Sequence, residues 1–330
     1  MRILFVSFIV SLFFVSCGGS DPKPALKSAN LDSLVRVYPD SIPLLLEYGK
    51  QLLDDYRSAE ALPLTAKAFR LDTTNIEARY LYSLSLINRA ERTQADVGIA
   101  QKYLKYITLK QPKNKEAYVH LASTYTLQGD FENSFKNINI ALKIDKRFRD
   151  AYVMKGTNYI ALGDRKLAKS SFETAVQQDP EFFAGYMQLG WLYSEDREYK
   201  FALEYFRTAA QIEPKSVDAL YGIAYSLQEL QNYPGALAGY RHLIETDTSY
   251  YLAFFNQGYI KQFNQNELDS AVFFYKKSIE MQPDFVKGWH NLGLCYTQQG
   301  RKSLAFKSFK KALEYNPDFE LSKKEIVKLK

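Results

Sequence analysis

Along most of this chain, small and bulky apolar residues return at helical spacings, and the whole arrangement then repeats. Counting Val286 as position one of a unit, equivalent units begin at Ile42, Ile76, Lys115, Arg149, Phe183, Val217 and Tyr251. Position eight is small in all eight copies: Gly49, Ser83, Ala122, Gly156, Gly190, Ala224, Gly258 and Gly293. Position four is bulky in seven (Leu45, Tyr118, Tyr152, Tyr186, Leu220, Phe254, Trp289), with Arg79 the exception. Further on, a small residue recurs at Ala61, Ala100, Ser134, Ala168, Ala202, Ala236, Ala271 and Ala305, and four residues later a bulkier one follows, as at Phe172, Phe206, Tyr240, Tyr275 and Phe309, while Thr65 departs. Prolines at Pro112, Pro180, Pro214, Pro283 and Pro317 keep the same period of about 34 residues, singly or doubled.

Spacings of three, four and seven place these residues on one face of a helix, so each unit is expected to be two antiparallel helices. Small residues let the two backbones approach, and the aromatics fill the space beside them. Gly129, Gly163 and Gly300 suit the left-handed residue that ends the first helix. Proline, or an Asp-Thr pair such as Asp72-Thr73 and Asp247-Thr248, ends the second. No unit can bury its apolar face alone, so neighbours must stack into a continuous core. Unit two carries about five extra residues around Asn88 to Gly98, and unit seven one extra near Gln262 to Asn266; both insertions belong at the turn within a pair. Residues 29–41 and 320–330 read as capping helices that cover the two ends of the array.

The order bulky, small, aromatic, Ala, aromatic, Ala, Pro resembles the tetratricopeptide repeat. Unit eight (Trp289, Leu292, Gly293, Tyr296, Ala305, Phe309, Ala312, Pro317) and unit five (Tyr186, Leu189, Gly190, Tyr193, Ala202, Phe206, Ala209, Pro214) match that pattern throughout. The resemblance spans residues 42–319 and implies an all-α, right-handed superhelical solenoid of about eight helix-turn-helix units. Fold alone does not name an activity.

The first twenty residues, MRILFVSFIVSLFFVSCGGS, have Arg2, an uncharged apolar run from Ile3 to Val15, and then Ser16-Cys17. This is the form of an export signal whose apolar run is too short to read as a spanning helix. Its end resembles a bacterial lipobox, although Phe14 stands where leucine is commonest. The resemblance implies removal of residues 1–16, lipidation of Cys17, and anchoring to a membrane without crossing it. Ordinary cleavage beside an incidental cysteine is the alternative. Gly18 and Gly19, in place of aspartate, point by the lipoprotein sorting rule to the outer membrane, facing the periplasm, with display on the cell surface the second possibility. Residues 17–28 form a tether; GGSDPKP within it reaches at most about 25 Å when extended.

Charge changes the picture little. The formal net charge is +6 in a chain of 330 residues, too mild and too dispersed to imply a nucleic-acid partner. The dense group Lys323, Lys324, Lys328 and Lys330 reads first as a solvated capping face. Catalytic and metal-binding patterns are not evident. His120, His242 and His290 are far apart, Cys295 reads as a buried inert thiol, and no phosphate loop or nucleophile elbow occurs, so neither enzymatic activity nor a cofactor is expected.

What remains is the surface of the first helices, which in tetratricopeptide proteins lines a groove for partner segments. Positions five and nine of a unit lie four residues apart and share a helical face. From unit five onward they pair Met187 with Trp191, Tyr221 with Tyr225, and Phe255 with Tyr259, followed by His290 in unit eight. Asn256 and Asn291 lie one residue past the first column, able to hydrogen-bond a bound backbone. Two readings of this ladder stand together: a binding groove, or packing between units. The expected function is a non-enzymatic, membrane-anchored scaffold that binds a protein or peptide in envelope assembly or maintenance. The alternative is a carbohydrate-binding envelope lipoprotein whose aromatics stack on sugar rings.

Overall fold

The computed structural model describes residues 31–329, which form eighteen α-helices and no strand. Cys17, the signal segment and the tether lie outside the described residues. Two compact units divide the chain, Met1–Pro180 and Glu181–Lys330. In the first, a leading helix α1 (Leu31–Val37) precedes four pairs: α2 (Ile42–Asp54) with α3 (Ser58–Leu71), α4 (Ile76–Asn88) with α5 (Gln94–Lys110), α6 (Lys115–Leu127) with α7 (Phe131–Ile144), and α8 (Arg149–Ala161) with α9 (Arg165–Gln178). In the second, four more pairs are α10 (Phe183–Glu195) with α11 (Tyr199–Ile212), α12 (Val217–Glu229) with α13 (Tyr233–Thr246), α14 (Tyr251–Phe263) with α15 (Leu268–Met281), and α16 (Val286–Gln298) with α17 (Lys302–Tyr315). A trailing helix, α18 (Glu320–Leu329), follows them.

Local sequence sets the helix ends. The Ala78 amide donates to Asn75 Oδ1 at 2.9 Å and the Ala117 amide to Asn114 Oδ1 at 2.8 Å, satisfying amides that a helix start leaves without a partner. Each second helix ends on a polar C-cap: Asp72, Gln111, Asp145, Asp179, Glu213, Asp247, Gln282 and Asn316. In several of these the side chain accepts the amide two residues on, as Asp72 does from Thr74 at 2.8 Å and Asp247 from Ser249 at 2.8 Å. This Asx geometry turns the chain into the next pair. The turn inside seven of the eight pairs has one residue with positive φ, supplied by Gly129, Gly163 and Gly300 but also by Tyr56, Arg197, Gln231 and Asn266, while the longer turn at residues 89–93 has none.

The repeated small residue and the repeated aromatic are two halves of one contact. A Cβ placed on Gly293 would lie 2.5 Å from the Phe309 ring, and one on Gly190 2.5 Å from the Phe206 ring. In unit one, where Thr65 replaces the aromatic, Gly49 would meet the Thr65 methyl at 2.7 Å. The Thr65 hydroxyl is kept satisfied by the Ala61 carbonyl at 3.0 Å and Ser85 Oγ at 3.0 Å. A buried polar group costs little when it is paired in this way. Burying these rings and the alanines beside them supplies the continuous apolar core on which a repeat array depends.

The insertion in unit two is divided between a five-residue turn, residues 89–93, and a helix α5 of 17 residues where most second helices have 14. A capping box of Thr93 and Asp96 starts α5, and Arg89 pairs with Asp96. The turn forms one wall of a cavity of about 230 Å3, which Arg57, Arg89 and Arg92 line together with Ser123 and Leu127.

Candidate partner-binding face

Within each compact unit most first helices of successive pairs touch one another, as α10 does α12 and α14 does α16, whereas α12 with α14, α11 with α13 and α13 with α15 make no comparable contact. The first helices therefore form the tighter layer. All nine sequence-selected binding residues fall on first helices of the second compact unit.

The structure separates those nine residues. Met187, Asn256 and His290 are buried. Asn256 Nδ2 donates to the Tyr221 hydroxyl at 3.3 Å, tying α14 to α12, so its amide serves the array. His290 lies between the rings of Phe309 and Phe319, each 5.4 Å away, and its Nδ1 is 3.0 Å from Ser322 Oγ on α18. Burial pulls its pKa below the ordinary histidine value, which keeps the ring neutral. These three residues belong to the packing between elements, because the columns turn inward where a neighbouring helix or cap covers them.

The remaining six, five aromatic residues and Asn291, are partly open, and three of the rings, Trp191, Tyr221 and Tyr225, contact one another in sequence. Trp191 sits edge-on to Phe206 at 4.8 Å and 6.2 Å from Tyr221. Tyr221 stacks on Tyr225 at 6.0 Å with an interplanar angle of 13°, and meets Tyr250 at 5.5 Å. Phe255 packs against Phe285 at 5.0 Å and Tyr275 at 5.5 Å. Asn291 Nδ2 donates to the Tyr275 hydroxyl at 3.3 Å. Tyr259 is 39% exposed, the most open of the set, with Phe263 against it at 4.7 Å. Burial, with Glu229 adding to it, pushes the Tyr225 phenol above its usual range, so it stays a neutral donor at any physiological pH.

Sequence reasoning missed three neighbours of this face. Tyr199 meets Tyr225 edge-on at 6.3 Å, while Tyr250 and Phe263 extend the ring chain at a helix start and a helix end. Tyr250 and Phe263 are flanks of the first helix, one residue before position one and at its last turn. Extending the two columns along the helix would have reached Phe263, but nothing in the period marks Tyr199, which comes from the second-helix layer.

No group of three or more His, Cys, Asp or Glu suited to a metal ion occurs among the described residues. Cys295 is free and fully buried, and burial pushes its thiol up to about 12. No helix among the described residues is long and apolar enough to cross a membrane.

Comparison with known proteins bears on the fold. Three models of the tetratricopeptide repeat match residues 115–148, 150–182, 184–216, 218–247, 251–285 and 286–319, which is more than half of the chain. No curated protein sequence matches it. Among solved structures, the chain is similar to one in the APC/C hetero-tetramer Cut9-Hcn1, with 15% identity over 91% of this chain and 58% of that one and a TM-score of 0.55. PilW, described as a widely conserved type IV pilus biogenesis factor, is similar at 18% identity over 64% of this chain and 98% of its own, with a TM-score of 0.53. A tetratricopeptide repeat protein from Parabacteroides merdae is similar at 21% identity over 77% and 98%, with a TM-score of 0.51. At these identities the likeness is one of fold. The repeated geometry and the matching family models agree, and the chain belongs to the tetratricopeptide repeat family.

Proposed function

We propose that this protein is a non-enzymatic scaffold which holds a protein or peptide segment on the first-helix face of its second compact unit. The observation that carries this reading is the run of rings from Trp191 through Tyr221 to Tyr225 and Tyr250, with a separate group on α14 at Phe255 and Tyr259. Exposed Tyr and Trp faces offer large apolar area at small entropic cost, and their polar tips fix a partner's backbone. Trp191, Tyr225, Tyr259 and Asn291 are the contact residues; Met187, Asn256 and His290 hold the shape of the face from beneath.

The same proposal places the protein at the cell envelope. Its support is the sequence of residues 1–17, an export signal ending in Ser16-Cys17. A diacylated cysteine and a short tether keep the repeats beside an outer membrane, on its periplasmic side, where envelope assembly or maintenance supplies partners. Labelling cells with a radioactive fatty acid tests the anchor. Label on the wild type and none on Cys17→Ala supports it, and label on neither removes it.

The binding reading is tested by a crosslinked pull-down of the mature protein from its own envelope fraction, beside a Trp191→Ala/Tyr225→Ala/Tyr259→Ala variant with a wild-type circular dichroism melt. A defined protein captured by the wild type and lost from the variant is the expected result. Equal capture by both contradicts the assignment of the face, and a tryptophan fluorescence response to envelope oligosaccharides with no protein captured would favour carbohydrate binding.

A further inference from the structure

One strongly basic stretch of this chain lies at residues 301–330. It contains nine basic against four acidic side chains, a local +5 that contrasts with the preceding residues 181–300, where nine basic side chains face fourteen acidic ones. The two helices of that region treat their lysines differently. On α18, Lys323 pairs with Glu320 at 2.9 Å and Lys328 with Glu325 at 2.6 Å, so much of the cap's charge is neutralised locally. On α17, Lys302, Lys307 and Lys310 form no ion pair among the described residues, nor does Lys276 on α15; Lys311 pairs with Glu314 at 2.7 Å, and Lys310 acts on the same carboxylate only through its field.

These lysines rim two concavities that share Lys307. One, of about 430 Å3, has Trp289, Leu292, Tyr296 and Leu304 in its lining and Lys276 and Lys311 at its sides. The other, of about 470 Å3, is lined by Phe306 and Leu329 with Lys302 and Lys310. No carboxylate lines either one. Trp289 has spent its indole N–H on the Pro283 carbonyl at 2.7 Å, so it offers its ring alone. Phe306 is 40% exposed. Trp289, Leu292 and Tyr296 occupy positions four, seven and eleven of α16, a different helical face from positions five and nine, so this surface is separate from the ring chain described above.

Unneutralised ammonium groups around apolar hollows define the complementary partner. A hollow of about 150 Å3 already accepts a benzene-sized group, so each concavity can seat a large apolar side chain. A flat lipid surface does not fill two hollows divided by Lys307, whereas an extended chain can enter both. We propose that this face docks an acidic polypeptide segment, with apolar side chains in the two concavities and carboxylates on Lys276, Lys302, Lys307 and Lys310. The proposal stands apart from the first-helix reading and gives the protein a second binding surface. Each exposed ion pair contributes little alone, and together they set orientation and encounter rate.

The test is fluorescence anisotropy of the full mature chain with short labelled peptides that combine Glu with Leu or Phe at a series of spacings. Gln-for-Glu counterparts and phosphatidylglycerol vesicles run alongside. The expected result is saturable binding of at least one Glu peptide, weakened about tenfold or more by Gln replacement and by Lys307→Glu/Lys310→Glu. Raising the salt should weaken binding too, and Tyr225→Ala should leave it unchanged. A Lys307→Gln/Lys310→Gln variant, which removes charge without reversing it, should lie between wild type and the reversal. Absence of saturable peptide binding, equal binding by the charge-reversed variant, or charge-sensitive capture of vesicles with no peptide bound would each overturn the proposal.

Discussion

Phe309 and Gly293 show how closely a single side chain is specified here. The ring fills the space that a Cβ on residue 293 would occupy, at 2.5 Å. Gly293→Ala must therefore displace a fully buried ring in a packed core, and is expected to cost about 1–3 kcal/mol. Phe309→Leu makes room, so in a double-mutant cycle followed by thermal melting the two changes should couple favourably by about 1 kcal/mol. Simple additivity would show that ring and glycine do not share the site. The turn residue Gln231 is a smaller case of the same kind. Its φ of 62° is the conformation that Gly129, Gly163 and Gly300 adopt elsewhere, and a non-glycine residue is strained there. Gln231→Gly should raise stability by about 1 kcal/mol; a lower melting temperature would mean the glutamine makes compensating contacts.

At the scale of helices, the fold was legible because one pattern is written eight times. Gly, Ala or Ser at position eight and, in five units, an aromatic after the turn can be recognised from spacing alone, and the first helices start at Ile42, Ile76, Lys115, Arg149, Phe183, Val217, Tyr251 and Val286. The polar C-cap column from Asp72 to Asn316 was less visible, since Asp, Glu, Gln and Asn can all serve there and the prolines beside it draw attention first. The fate of the columns at positions five and nine was not legible. Whether Phe255, Asn256 or His290 faces outward depends on what the next helix or cap brings over it, and a period of 34 says nothing about that.

The histidines give this scale its prediction. Burial holds the His120 pKa at about 4, and it lowers His290 as well. Both rings are neutral when folded and charge near pH 6.5 when unfolded. As pH falls below about 6.5, the unfolded chain binds protons that the folded chain refuses, so stability drops, and for His120 the loss continues until the folded ring titrates near 4. A group like His120 alone is worth on the order of 2 kcal/mol at pH 5. The melting temperature should fall between pH 7.5 and pH 5, more steeply in the wild type than in His120→Gln. Equal slopes would mean that His120 is not held neutral.

Across the whole molecule, chemistry is distributed unevenly over a regular frame. Residues 31–180 carry an arginine-lined cavity beside the insertion in unit two, and residues 181–330 carry the ring contacts and the lysine-rich stretch at 301–330. A repeat array allows this, because each pair depends mainly on its neighbours and can vary its outer positions freely. The proposed partner lies along the first helices of the second compact unit. The most direct measurement is photocrosslinking with p-benzoylphenylalanine placed, one site at a time, at Tyr225, Tyr259 and Asn291, with Phe273 and Ile140 on second helices as controls. One partner is expected to crosslink at all three first-helix sites and at neither control. Crosslinks at the controls alone, or a different protein at every site, would contradict it.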